Sequence, residues 1–321
     1  LRCLVGSEMC IRDREMGLYG LDIPPEYGGP DIDLVTRTLI AVEMSQHRAG
    51  LYAPCYGVFG GAGLAQLFEA TEEQKDKYLY PTLRGEKRGF FGLSEPSGGS
   101  DPARAIQTKA VRDGDNWIIN GSKLWISGAD RADFGLVFAR TDSSKGRNGV
   151  TCFIVDTDTP GFHVRRIVHT LRSAHYATEL QFENMVVPER NILGELNKGF
   201  AIANDRLTRQ RIPYAAGCIG VAIKAQEMAL EYVPQRETFG APLSSRQAIQ
   251  WMLVDNDIDI KQSLWIGFRG CGEGAKRRSL SKRGGNGKAS CYRSWRKGSR
   301  SLHANVRWSR SCQGPSAGEM V

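Results

Sequence analysis

No run of apolar residues in this 321-residue chain approaches the roughly 18 to 20 needed to cross a bilayer. No secretory signal stands in it either, so neither a membrane protein nor an exported, disulfide-stapled fold is expected. The eight cysteines contain no C-x-x-C pair. That removes the usual zinc and dithiol spacings and leaves a reducing, cytoplasmic setting as the expectation. His163, His169 and His175 lack ligand spacing, so no metal site is predicted. Gly60-Gly-Ala-Gly63 has no strand before it and lacks the third glycine of a dinucleotide fingerprint. Gly284-Gly-Asn-Gly-Lys288 lacks the spacing of a phosphate loop and the Ser or Thr after its lysine.

The formal charge of +8 is unevenly spread. Residues 268–321 hold 13 Lys and Arg against two acids, Glu273 and Glu319, which leaves the rest of the chain slightly acidic. The basic excess therefore belongs to the tail. A nucleic-acid-binding reading would rest on Tyr292, Trp295 and Trp308 among its arginines, and is the alternative from a different class.

The richest stretch is 89–128. Phe90 to Ser94 is a short apolar run closed by Glu95-Pro96, because Pro96 cannot donate to a sheet ladder. Ser97-Gly98-Gly99-Ser100-Asp101 follows, a turn that permits close backbone approach to a ligand. After Asp113-Gly114 the chain returns through Trp117-Ile118-Ile119 and Leu124-Trp125-Ile126, both strand-like. Two strand ends result, one with Ser94 and the other with Trp125 and Ser127, placed to flank a flat ring.

These residues resemble the flavin-binding strands of the acyl-CoA dehydrogenase family, whose pattern is roughly [YF]-x-[VLI]-[TS]-E-P-x-x-G-S-D, then K-x-[WY]-I-[TS]. Three further stretches match the family in order: the loop Gly20 to Gly29, the strand-to-helix passage Leu180 to Phe200, and the Arg236-Glu-Thr-Phe-Gly240 signature. The resemblance covers about residues 15–266. It implies an α+β fold: a helical N-terminal domain, a small antiparallel β-barrel in the middle and an incomplete C-terminal helical bundle. The boundaries expected are 15–88, 89–190 and 191–266. Residues 1–14 resemble a translated adapter remnant and are expected to lie outside the fold.

Periodicity agrees with that plan. Leu34 to Met44, Leu64 to Phe68 and Gln74 to Leu83 carry helical apolar spacing, and short strands recur between Phe90 and Pro188. Ala201 to Gln235 reads as a long helix whose small residues admit a close neighbour, ending at Gly240. A second helix is predicted to start at Ser244 or Ser245, with Ile249, Met252, Leu253 and Ile260 inward.

The resemblance implies FAD as cofactor and α,β-dehydrogenation of an acyl-CoA thioester. Acyl-CoA oxidases and flavin monooxygenases of the same fold are the alternatives. Phe91, Leu93, Ser94, Trp125, Ile126 and Ser127 would surround the isoalloxazine. Arg236, Thr238 and Gln247 would reach the FAD diphosphate of a neighbouring subunit, a task suited to the fixed fork of a guanidinium. Ser100 and Arg211 would lie along the acyl-CoA, although Arg211 reads equally well as part of a solvated basic helix face. Partners implied are an electron-transfer flavoprotein and further copies of the chain, as a dimer or tetramer, with no metal and no membrane.

The catalytic base is not found. In a minority of the family it stands beside the arginine that matches Arg211, where this chain has Gln210. In the majority it is a glutamate beyond the present end, so the chain as written is expected to be inactive. From about Trp265 the helical period gives way to Gly, Arg, Ser and Lys. Back-translation of residues 291–321 in a shifted frame permits the family's glycine loop, so 267–321 is expected to be an out-of-frame tail.

Overall fold

The computed structural model describes residues 20–21, 23–46, 64–169 and 177–281. The expectations for residues 1–14, for Gly60–Gly63, for His175 and for the tail after Ser281 lie outside the described residues.

The chain divides into two compact units. One joins Leu1–Phe59 to Arg209–Val321, and the other is Gly60–Thr208. The short helices after Gly60 group with the sheet, and the helix Leu34–Met44 groups with the two long C-terminal helices.

The Gly60–Thr208 unit contains helix α2 (Leu64–Leu67), then α3 (Glu72–Gln74) and α4 (Tyr80–Arg84) joined by a π-helical segment, Lys75–Leu79. Thr71 and Gln74 form a capping box that starts α3. Gln74 then donates through Nε2 to the carbonyls of Arg190 and Ile192, both at 2.9 Å. Tyr78 packs on Phe134 with ring centroids 4.9 Å apart. A short helix, α5 (Pro102–Ala105), follows the first strand.

Seven strands build the sheet: β1 (Gly89–Gly92), β2 (Lys109–Asp113), β3 (Asn116–Ser127), β4 (Phe134–Arg140), β5 (Val150–Asp156), β6 (Phe162–Val168) and β7 (Ala177–Pro188). Side chains from β1, β2, β3, β4, β5 and β7 meet in one buried cluster that includes Phe90, Trp117, Phe153 and Phe182, so the sheet is curled around its own core. Pairing is antiparallel except at β4, which accepts β1 in parallel from Phe134 to Val137 and touches β2 in parallel at Arg140. The sheet is therefore mixed, where antiparallel pairing alone was expected. The reason is connectivity: β1 and β2 lie end to end along one edge of β4, while β5 takes the other edge.

The other unit holds α1 (Leu34–Met44), the greater part of α6 (Gly199–Tyr232), a two-stranded hairpin of β8 (Glu237–Thr238) and β9 (Ala241–Pro242), and α7 (Gln247–Ser281). Asp33 caps α1 by accepting from Val35 N at 2.7 Å and Thr36 N at 3.0 Å. Ala41, Val42, Ala216 and Ile219 form the core between α1 and α6.

Three local expectations need correction. Gly240 does not cap a helix: α6 stops at Tyr232, and Phe239 (φ 52°) and Gly240 (φ 73°) are the two turn residues of the β8–β9 hairpin. Ser244 and Ser245 lie in a 3-10 turn, Leu243–Ser245, before α7 begins. Met252 is exposed rather than inward. In addition, α7 passes the point near Trp265 where the period was expected to fail and runs on to Ser281. Glu273, Ala275, Lys276, Arg277, Arg278 and Leu280 favour helix well enough to continue it through the intervening glycines.

Candidate flavin-binding face

Ser94, two residues past the end of β1, and Trp125, on β3, are joined through the backbone. The Leu124 amide donates to the Ser94 carbonyl at 2.9 Å. Two irregularities then aim the side chains. The β3–β7 register shifts between Leu124 and Ile126, and Trp125 takes a left-handed φ of 66°. A bulge of this kind costs backbone energy and turns one residue out of the pleat. Consequently Trp125 is 56% exposed while the next residue, Ile126, is 2% exposed in the core.

The six residues expected around a flat ring thus divide by role. Trp125 offers an exposed face. Ser94 and Ser127 are half-buried, and among the described residues their hydroxyls bond to no other side chain or carbonyl. Leu93 and Ile126 are buried, so they can meet a ligand at this surface only through backbone. Phe91 is half-buried and covered by the Arg206 guanidinium. Ser100 is exposed in the turn before α5.

The remaining four residues stand in the other unit. Arg211 is half-buried on α6, Arg236 is exposed just before β8, Thr238 is in the hairpin, and Gln247 is the exposed first residue of α7. Within that unit the Leu243 amide donates to the Arg236 carbonyl at 2.6 Å, and Arg246 Nη2 donates to the Thr238 carbonyl at 2.6 Å. The hairpin therefore fixes the backbone of Arg236 and Thr238 and leaves the Arg236 side chain outward.

Two neighbours of the expected residues carry more of the geometry than the sequence suggested. Lys123, 0% exposed, donates from Nζ to Glu95 Oε1 at 2.8 Å and to the Phe138 carbonyl at 2.6 Å. Glu95 also accepts from the amides of Gln107 at 2.6 Å and Thr108 at 3.1 Å. Burial pushes the Glu95 carboxyl up, but the Lys123 ammonium and these donors outweigh it and hold it below its ordinary value. Lys123 is sealed more completely; burial brings it down to about 8, against the pull of Glu95. The two directions are consistent, since the carboxylate keeps backbone N–H groups in place of water and the ammonium has fewer substitutes. Glu95, Gln107, Thr108, Gly121 and Ser122 also border a cleft of about 230 Å³.

Among the described residues, no group of three or more His, Cys, Asp or Glu is placed to hold a metal, and no helix is long and apolar enough to cross a membrane.

Known proteins share this architecture. Family models for the acyl-CoA dehydrogenase N-terminal, middle and C-terminal domains match residues 9–86, 90–185 and 197–270. The first of these begins inside the stretch expected to be a leader. A short-chain specific acyl-CoA dehydrogenase of Clostridium acetobutylicum is 37% identical over 257 residues, covering 79% of this chain and 67% of that protein. Butyryl-CoA dehydrogenase from Megasphaera elsdenii superposes with a TM-score of 0.77 at 30% identity, over 98% of this chain and 80% of the other. A glutaryl-CoA dehydrogenase from Mycobacterium smegmatis in complex with FADH2 gives 0.76 at 28% identity, over 96% and 76% of the two chains.

Proposed function

Because the chain belongs to the acyl-CoA dehydrogenase family of FAD-dependent oxidoreductases acting on CH–CH groups, we propose that the Ser94–Trp125–Ser127 face seats FAD and serves α,β-dehydrogenation of an acyl-CoA thioester. The observation that carries this reading is Trp125: a half-exposed indole held at a positive φ on a bulge, bonded through its neighbour Leu124 to Ser94. A fold has no packing reason to strain a residue in order to expose an aromatic ring, whereas a ring-shaped ligand supplies one.

The residues fit an isoalloxazine. The indole offers a flat apolar surface, and the Ser94 and Ser127 hydroxyls are unspent donors at its margin. Bound here, the flavin would supply the redox chemistry by accepting a hydride from the β-carbon. The protein's own work is to place the ring, exclude water and polarise the thioester carbonyl so that charge developing during loss of the α-proton is stabilised. The carboxylate beside Ser94 does not act as the base, since Glu95 is buried and bonded to Lys123, Gln107 and Thr108. Gln210, next to Arg211, has no proton-accepting carboxylate to offer.

Arg236, Thr238 and Gln247 are assigned to the FAD diphosphate of a second copy of the chain, and Ser100 and Arg211 to the acyl-CoA. A homo-oligomer and an electron-transfer flavoprotein complete the set of partners. A reducing cytoplasmic setting fits the buried thiols of Cys152 and Cys271, which form no disulfide.

The test is FAD titration of the purified chain, followed by anaerobic addition of acyl-CoA thioesters of graded length. Uptake of FAD with a perturbed visible spectrum is expected; the thioester whose binding shifts that spectrum identifies the substrate class, and bleaching of the flavin would overturn the expectation that the chain as written is inactive. Folded protein that takes up no FAD would refute the reading.

A further inference from the structure

We propose that the buried Glu95–Lys123 pair is a positioning device for the flavin: it sets the offset between Ser94, two residues past the end of β1, and the Trp125 bulge of β3. This rests on the reading that FAD occupies that face.

The pair stands where the sheet is interrupted. β1 leaves the edge of β4 after Val137, and β2 joins the same edge only at Arg140. In the gap, the Phe138 carbonyl accepts from Lys123 Nζ at 2.6 Å instead of from a strand amide. The chain that bridges the gap departs through Leu93, Ser94 and Glu95 and returns through Gln107 and Thr108. A single carboxylate, that of Glu95, ties both ends of this excursion together, and Lys123 anchors it to β3 two residues before the bulge. The ends of β1, β2 and β3 and the edge of β4 therefore share one buried ion pair.

Stability alone is a poor explanation for such an arrangement. Burying two charges is costly, and apolar residues of similar volume often serve a core as well or better. The pair's bonds to the Phe138 carbonyl and to the amides of Gln107 and Thr108 have fixed directions, which apolar residues could not reproduce. What an ion pair with directional bonds provides is a unique register, and the element registered is the strained one that presents Trp125.

The experiment compares FAD affinity, the visible spectrum of bound FAD and the melting of the flavin-free chain in wild type, Glu95→Gln, Lys123→Met and the double variant. Val155→Ala, in the core on β5, serves as a control that lowers stability without removing a partner of the ion pair. A positioning role predicts that each pair variant weakens FAD binding by about tenfold or more and alters the bound spectrum, beyond the change in a Val155→Ala chain of equal melting temperature. Equal affinity and spectrum at matched stability would overturn it. Should the pair variants not fold, hydrogen exchange on the wild type decides. The amides of Gln107, Thr108 and Leu124 should gain more protection on FAD binding than those of β6, which β7 separates from β3, and uniform protection overturns the proposal. Wild type that takes up no FAD removes the underlying reading, whereas wild type that binds FAD as tightly as its pair variants removes only this inference.

Discussion

The guanidinium of Arg206 lies over the ring of Phe91, 4.5 Å from its centroid. Phe91 in turn packs on Phe138, with ring centroids 4.9 Å apart. The second turn of α6 is thereby held against β1, three residues before Ser94. The same Phe138 carries the carbonyl that Lys123 bonds, so the aromatic stack and the ion pair brace one short piece of β4.

A cation above a partly buried ring contributes about 0.5–2 kcal/mol. Phe91→Leu and Arg206→Ala should therefore show a coupling of about 1 kcal/mol in a double-mutant cycle measured by urea unfolding. Additive losses would mean that the stack contributes nothing beyond its area.

Lys123 gives the stability of the chain an unusual alkaline dependence. With its folded value at about 8 and its ordinary value at 10.5, the folded chain has released a proton that the unfolded chain still holds between those limits. Stability from this group therefore rises with pH across that window, by up to about 3 kcal/mol. Glu95 acts on the acid side in the ordinary sense. Its depressed carboxyl stabilises the fold above pH 4.5, and the contribution disappears as pH falls through the folded value. Urea midpoints of wild type minus the Glu95→Gln/Lys123→Met chain should climb between pH 8 and 10 and drop below pH 4. A flat difference would contradict both directions.

Trp125 separates function from stability. Its ring is more than half exposed and its φ favours glycine, so in Trp125→Gly the burial lost is offset by relief of strain of about 1–3 kcal/mol. The melting temperature of the flavin-free chain should hold or rise. FAD affinity should fall by about tenfold or more, since stacking on the indole is lost. A variant that binds FAD like wild type would show that the exposed indole serves another purpose.

Much of this was legible in the sequence, and the misses have physical causes. α1 spans Leu34–Met44 as its apolar spacing indicates, because a helix packed on one side has to repeat every three to four residues. Ser94 and Trp125 were expected on adjoining strand ends, and the bond from Leu124 joins them. Lys123 was passed over although alternation from Trp117 and Ile119 places residues 121 and 123 inward. A lysine in that phase signals a buried partner, yet nothing local names Glu95, 28 positions earlier. The bulge at Trp125 then resets the count so that Ile126 is buried, and a bulge leaves no mark in periodicity. Phe239-Gly240 was mistaken for a helix end because a glycine after a long helix usually is one; the two-residue strands beside it are too short to display alternation.

The small residues of α6 offer a sharper test of how sequence sets packing. Gly220 meets the end of α1 so closely that an added Cβ would lie 2.2 Å from the Val42 carbonyl oxygen and 2.8 Å from Ser45 Cβ. At Gly217, one turn earlier, the nearest atom would be Ser45 Oγ at 3.4 Å, an ordinary contact. Alanine is favoured over glycine inside a helix by about 1 kcal/mol. Gly217→Ala should keep that gain and melt at or above the wild-type temperature. Gly220→Ala should lose it, because backbone cannot yield as a side-chain tip can, and forcing α1 away costs about 1–3 kcal/mol. The outcome to measure is the order of the two melting temperatures, and a Gly220→Ala chain as stable as Gly217→Ala would show that α1 does not rest on α6 at this glycine.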